Sequence, residues 1–576
     1  MSTPAPRPLA PDPEVIRVGN CSGFYGDRRA AMREMLTDGE LDVLTGDYLA
    51  EMTMLILGRD LTKNADLGYA KTFLTQMEEC LGLAVDRGVG IVVNAGGLNP
   101  AGLSQRLTEL AERLGITARI AHVRGDDLGP HAEELGFAGY LTANAYLGAW
   151  GIAECLTAGA DVVVTGRVSD ASLAVAPAAA HFGWQRTDYD RLAGAVAAGH
   201  VIECGTQATG GNYAFFTELG DLARPGFPLA EIHRDGSSVI TKHPGTGGAV
   251  TVDTVTAQLV YEVDGARYAG PDVTTRLDSL TLTEAGPDRV RITGVRGEPP
   301  PPEYKVSLTT VGGHRNELTF VLTGLDIEAK ADLVRSQFEA ELGTRPTELT
   351  WQLVRLDQPD APTQEQASAL LRCEGRDPDP EAVGRQFSNT AVALALASYP
   401  GFTLTAPPDS GTVYGAFTPG RVEATAVTHR AVLPEGSEVA IAPSPHTQPL
   451  REVPEPPLPP APPRRAPRHA PLGAVAAARS GDKGGNANIG VWVRSEAQWA
   501  WLVHELTVAR LRELLPETAA LDVTRTVLPR LRAVNFVVHG LLGDGVAAQA
   551  RFDPQAKGLG EWLRSRHVDV PEELLP

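Results

Sequence analysis

The 576-residue chain carries only five cysteines, at 21, 80, 155, 204 and 373, and no two share a functional spacing. An odd, scattered set excludes a disulfide framework and reads as the reduced thiols of a cytoplasmic protein. The Cys-x-x-Cys, His-x-His and His-Glu-x-x-His spacings of redox and zinc sites are also missing, so no residue is assigned to a metal. No run of 18 apolar residues occurs, which excludes a membrane-spanning helix. The Pro-rich opening, residues 1–13, has no apolar centre and reads as a disordered arm rather than a signal peptide. Basic residues are outnumbered, 51 Lys and Arg against 71 Asp and Glu, for a net charge of −20. That balance argues against nucleic acid or an anionic membrane as a partner and makes any basic site a local one.

What is present in quantity is glycine and proline, 60 and 44 residues, in a chain too long for a single core. Through residues 14–225, strand-like and helix-like stretches alternate. The strand-like runs are Val15–Val18, Leu41–Thr45, Gly90–Asn94, Ala118–His122 and Ala160–Thr165. Alternation of this kind predicts an α/β domain with a doubly wound, parallel, Rossmann-like sheet. Ligands of such sheets bind outside the carboxyl ends of the strands. Four of those ends here carry glycine beside Asn, Ser or Asp: residues 19–27, 46–51, 94–100 and 166–170. They place Asn20, Ser22, Gly23, Asp47, Asn94, Gly96, Gly97, Arg167, Ser169 and Asp170 on one rim. Asp47 reads equally as a helix N-cap and as a pocket acid.

A fifth polar turn, residues 199–213, is expected to reach the same rim. Within ten residues Glu203, Cys204, Gln207, Thr209 and Asn212 supply an acid, a thiol, two amides and a hydroxyl. Gly205, Gly210 and Gly211 leave the backbone open to close approach. The first Gly-rich turn, at 19–27, has neither the Gly-x-Gly-x-x-Gly spacing nor a later Tyr-x-x-x-Lys, so a nicotinamide site is weakly supported.

From Pro225 to about Thr323 short β-prone runs sit between turns, among them Thr251–Asp253 and Gln258–Tyr261. Gly312–Arg315 reads as a tight turn. Helices return near 326–341 and 379–398, giving an α+β second lobe over 226–442. Residues 443–471 are a Pro-rich linker. Beyond it, 472–576 reads as a strand (472–478), a charged Gly-rich hairpin from Arg479 to Asn488, a strand (489–493), a helix (497–515), strands at 534–538 and 547–552, and a short helix. This order is close to a ferredoxin-like α+β layer. Arg479–Gly485 lacks the ending of a phosphate-binding Walker loop, and its charges suit an anion or a contact with a second subunit.

Taken together, Val18–Asp27, Gly46–Glu51, Asn94–Gly97, Thr165–Asp170 and Glu203–Gly211 resemble the acyclic terpene utilization AtuA family. The tail with Ser480–Gly485 looks like the ferredoxin-fold domain often fused to it. The resemblance implies catabolism of branched terpenoid acids as coenzyme A thioesters, in a lyase or hydratase step. Coenzyme A thioester is thus an expected substrate rather than a bound cofactor. An enzyme of this kind needs an acid/base and an oxyanion site. Asp47 and Glu203 are the acid/base candidates, and Cys204 is either an acid, a nucleophile or packing. Asn94, Gln207 and backbone N–H groups of the rim are candidates for an enolate oxygen, and Arg167 for a carboxylate or phosphate. Thr209, Gly210, Gly211 and Asn212 complete the expected substrate-binding set. The alternative is a non-catalytic acyl-CoA-binding or scaffold subunit of a pathway complex. Sheet edges in a long two-lobed chain favour a homo-oligomer, a dimer or tetramer.

Overall fold

The computed structural model of the chain describes residues 9–10, 12–462 and 467–576. The expected arm over 1–13 therefore lies largely outside the described residues, as does 463–466 of the Pro-rich segment. Contacts divide the chain into two compact units. The first takes in the described residues up to Thr309 with Phe417–Val546 and Gln555–Pro576, and the second is Thr310–Ala416 with Ala547–Pro554.

The first unit is built on strands β1 (Val15–Asn20), β2 (Val43–Gly46), β3 (Gly90–Val93), β4 (Ile120–Arg124) and β6 (Val162–Thr165), with β5 (Thr142–Ala145) paired instead to residues 306–309. Between them run helices α1 (Ala31–Thr37), α2 (Glu51–Lys63), α3 (Lys71–Arg87), α4 (Pro100–Leu114) and α5 (Trp150–Thr157), followed by α6 (Ser172–Phe182) and α7 (Tyr189–Ile202). Strands β1, β2, β3, β6 and β4 are neighbours in that order, and every pairing among them is parallel. The central strands β2, β3 and β6 are fully buried because both faces are covered. Leu44, Ile91, Val93 and Val164 pack with α1, α3 and α4, while Val18, Val92, Val123 and Val163 pack with α5, α6 and α7.

The sheet is not parallel throughout, as the alternation predicted. Strands β7 (Pro228–His233) and β8 (Ser238–Lys242) join it antiparallel at β1, and residues 430–440 join it antiparallel at β4. A four-residue turn links β7 to β8, with Gly236 at φ +86°, and so short a connection permits only antiparallel pairing. Among the described residues this makes a mixed sheet of 11 strands. Residues 228–242, read from sequence as the start of a second lobe, thus extend the main sheet. The β-prone runs Thr251–Asp253 and Gln258–Tyr261 are also corrected: Val252–Leu259 is helix α8. Thr251 caps it, accepting from Thr254 N–H, and the local cap overrides the β-branched composition.

The second unit holds most of a sheet whose strands, in order, are Glu348–Val354, Ser368–Asp377, Glu303–Thr323 and Thr412–Glu423; the first three pair antiparallel, and residues 303–309 and 417–423 fall in the first unit. Helices Ile327–Glu341 and Arg385–Ala393 cover the face bearing Phe320, Leu371 and Cys373. Gly312–Arg315, expected as a turn, lies inside the long strand.

Within the first unit, the C-terminal residues form an antiparallel sheet ordered Ala476–Lys483, Asn486–Val493, Ala533–Val538 and Val523–Leu528. The charged stretch from Arg479 to Lys483 is therefore strand, and only Gly484–Gly485 turns. The helix expected over 497–515 is two, Glu496–Glu505 and Val508–Leu514. Residues 547–552 form no strand; they belong with the second unit. Pro467–Pro471, within the expected linker, pairs antiparallel with His567–Pro571, while 443–462 carry no helix or strand.

Candidate functional site

Helix α7 delivers Glu203 to the rim. It is Ala- and Gly-rich and buried for most of its length, so neighbours approach closely: a Cβ on Gly199 would lie 2.9 Å from the Ala171 carbonyl oxygen at the start of α6. Glu203 is the C-cap of α7, and its position is fixed from β1. Asn20 Nδ2 donates to the carbonyls of Ile202 (2.8 Å) and Glu203 (3.0 Å). Gly23 completes the junction, since a Cβ there would stand 2.5 Å from Gly205 N. Ser22 contributes its carbonyl to Asp47 N–H and its hydroxyl to Phe24 O.

Glu203 is 8% exposed and faces His200, which is 1% exposed, one helical turn back. Glu203 Oε1 and His200 Nδ1 are 2.8 Å apart. The far atoms, Glu203 Oε2 and His200 Nε2, are buried without a hydrogen-bond partner. Burial pushes the Glu203 carboxyl up to about 7, against the pull of His200 and with help from Asp170 and Glu262. Burial alone would lower His200, but Glu203 outweighs it and the imidazole stands above its ordinary value. Both groups therefore hold a proton more tightly than they would in water.

A second set of groups adjoins this pair. Asn94, at the end of β3, donates to Asp47 Oδ1 (2.5 Å) and accepts from Tyr48 N–H (2.7 Å). Asp47 also accepts from Leu49 N–H, but the N-cap of α2 is Ala50, so Asp47 stands ahead of the helix and does not cap it. Burial and the neighbouring Asp170 raise the Asp47 carboxyl, opposed by Arg167 and Asn94. Arg167 donates to Leu49 O (2.8 Å), pairs with Asp170 (3.1 Å) and lies 4.2 Å over the Tyr146 ring. Its Nε is buried and unpartnered. Burial would lower its pKa, but Asp170, Tyr146 and Asp47 hold it above the ordinary guanidinium value. Asp170 acts electrostatically on both Asp47 and Glu203, which links the two halves.

The family model of the acyclic terpene utilisation family protein AtuA matches residues 16–433. The chain belongs to this family. A second model, the AtuA ferredoxin-like domain, matches residues 470–569. No curated protein and no solved structure matches the chain. Membership implies involvement in acyclic terpene utilisation.

In this AtuA-family chain the rim residues divide. Asn20, Asp47, Asn94, Arg167, Asp170 and Glu203 are drawn together by the bonds above. Gly96 and Gly97 are packing positions: a Cβ at Gly96 would meet Thr165 O at 2.5 Å, and Gly97 takes φ +55° against Leu57. Ser169 donates its N–H to Leu147 O. Thr209 donates to Thr206 O and Gly226 O, and its own carbonyl accepts from Ala249 N–H. Gly210 takes φ +115° beside Leu219, Gly211 N–H bonds Thr206 O, and Asn212 is exposed at φ +57°. Residues 209–212 are thus a folded turn against the 219–249 connection, and the structure does not bring them to the acids. Burial holds the Cys204 thiol well above its ordinary pKa, with Glu203 and Glu262 adding to it and the Gln258 amide opposing. It is a thiol at neutral pH, a proton donor or packing group rather than a thiolate nucleophile.

Several residues of the cluster gave no sequence signal. Gln258 is fully buried in α8, its amide set against the Cys204 thiol. Tyr268 packs tilted against His200, with 4.9 Å between ring centroids. Lys305 Nζ lies 4.8 Å over the Tyr146 ring, and Glu51 is pushed up to about 7 by burial and by Asp482. The Gly46–Glu51 motif contained Glu51, but nothing in its spacing separated it from an ordinary first-turn acid. Among the described residues no three His, Cys, Asp or Glu side chains are grouped as a metal site. Two cavities, of about 440 and 400 Å³, lie elsewhere, one bordered by Arg315, Arg372 and Glu374 and the other by 453–456 and Arg525.

Proposed function

We propose that the chain is an enzyme acting on a branched acyl-CoA or related branched carboxylate, as a carbon–carbon lyase or hydro-lyase. The observation that carries this reading is the buried Glu203–His200 pair, with one unpartnered atom on each side chain and a Glu203 carboxyl pushed up to about 7. Either direction of such chemistry requires one group that accepts a proton and returns it. In cleavage, the base takes the proton of a 3-hydroxyl, the bond between carbons 2 and 3 breaks, and its electrons enter a thioester enolate that is then protonated. In dehydration, the base takes the proton at carbon 2 while an acid protonates the departing hydroxyl. A group poised near pH 7 serves both halves. Arg167, with a free Nε and a charge that burial does not remove, suits the carboxylate of a branched acid. Asp47, raised by burial and Asp170, is the second proton carrier.

Purified full-length protein incubated with a panel of branched acyl-CoA esters and read by mass spectrometry tests the proposal. Wild type is expected to change the mass of at least one ester. Glu203→Gln, which keeps shape and removes proton transfer, is expected to lower that rate by about 10²-fold or more. Binding without conversion by either protein would favour the acyl-CoA-binding subunit instead.

A further inference from the structure

The strand Ala476–Lys483 of the ferredoxin-like domain lies against the segment that follows α8. Its alternate residues Arg479, Gly481 and Lys483 share one face. Arg479 donates through Nε (3.1 Å) and a terminal nitrogen (2.6 Å) to Gln207 Oε1, and its guanidinium sits 4.1 Å over the Tyr261 ring. Gly481 is where that ring needs room, because a Cβ there would collide with Tyr261. Lys483 Nζ donates to Glu262 O at 2.6 Å and lies 5.6 Å over Tyr268, the ring packed against His200. Glu262 sits at φ +55°, a strained position for a non-glycine residue. Its N–H donates to Asn488 Oδ1 (2.8 Å), on the neighbouring strand of the same domain. The backbone that carries Glu262 is therefore gripped on both sides by the C-terminal domain.

We infer that the ferredoxin-like domain is a working part of the acid–base site, with Lys483 a positioning residue that sets Tyr268 and Glu262 against the Glu203–His200 pair. The inference rests on the reading of that pair as the proton-transfer group. The charged and titratable groups around His200 are Glu203 from the end of its own helix, Tyr268 and Glu262 from the segment after α8, and Lys483 from the C-terminal domain. Of these, Lys483 is the cation, and it opposes the charge on the imidazole.

The test uses full-length protein with ¹³C-labelled histidine, the His200 resonance being the one lost in His200→Gln. Lys483→Gln keeps a hydrogen-bond donor for Glu262 O but removes the charge. His200 is expected to titrate higher by about half a pH unit or more in this variant, and Lys483→Arg to restore the wild-type value. Lys483→Met should give the same upward shift if Lys483→Gln folds poorly. An unchanged His200 titration in a variant with a cooperative melt would overturn the inference. This readout needs no substrate. A failure of Glu203→Gln to affect turnover would sink the proposed function and leave the NMR result standing, so the two failures are distinguishable.

Discussion

Replacing Glu203 by Gln makes a prediction about stability that can be worked from the structure. The carboxyl stands at about 7 in the folded chain against an ordinary 4.5, because its environment is dry. Its folded-state pKa is raised, so the stability present below pH 4.5 declines as pH climbs from 4.5 to about 7, where the unfolded chain has released a proton that the folded chain still holds. At about 1.4 kcal/mol per pH unit, that span is worth about 3 kcal/mol. Glu203→Gln removes the decline. It also withdraws the carboxylate that lifts His200, leaving a buried imidazole whose pKa is expected to fall below its ordinary value. A His with a lowered folded pKa gives stability that grows as pH rises through 6.5. Urea unfolding of both proteins at pH 5 and pH 8 measures the difference, since Asp126, Asp482 and the other shifted acids are common to both. The wild type is expected to lose at least about 3 kcal/mol more than the variant on going from pH 5 to pH 8, the Glu203 contribution alone supplying that much and the His200 contribution adding to it. Equal losses would refute the claim that Glu203 is held protonated by burial.

Two further outcomes follow from the same geometry. Asn94→Ala removes the acceptor of Tyr48 N–H and the donor to Asp47, and it is expected to cost about 2–3 kcal/mol by urea unfolding; a loss below 0.5 kcal/mol, roughly, would show that these buried groups find other partners. Cys204 is the one cysteine that is not fully buried, and its alkylation is expected to stay slow and flat between pH 6 and about pH 9, with Cys204→Ala keeping turnover within several-fold; a rate rising near pH 7 would reveal a thiolate and restore it as a nucleophile.

Much of the first unit was legible because its signals are local. Buried parallel strands read as unbroken runs such as Val162–Thr165, and the glycines after them mark where chains approach. The ends of those strands supplied Asn20, Asp47, Asn94, Arg167 and Asp170, and the helix end supplied Glu203. What was illegible depends on packing. Thr251–Tyr261 is β-branched and aromatic enough to suggest strands, yet a single cap bond at Thr251 starts a helix. Thr209–Asn212 has the composition of a ligand loop, but Thr209 bonds Thr206 O, Gly226 O and Ala249 N–H, and Asn212 stands exposed. His200 lies three residues from Glu203 in plain view. Only burial turns that helical neighbour into a partner, and burial is a property of α6 and α7 together.

The Arg479–Lys483 stretch shows why composition and function part company at the domain junction. Charge and glycine together suggest a hairpin from Arg479 to Asn488, and the chain forms one, its two strands joined at Gly484–Gly485. In a strand the same residues acquire a period of two, so Arg479, Gly481 and Lys483 become one face while Ser480 turns the other way, its hydroxyl bonded to Lys557 O and Gly560 N–H. The glycine is then the point of contact, and the two cations flank it. The next strand follows the same logic: Gly490 leaves room for Val260, and Asn488 binds the backbone of Glu262 and Val263. Ala477, Trp492 and Ala533 share the core of the main sheet, while Ala476, Ala478, Ile489 and Phe536 build the domain's own. A sheet with one face committed to its own core and the other to the 252–268 segment cannot shift without moving Tyr261, Glu262 and Tyr268, and Tyr268 is the ring that rests on His200.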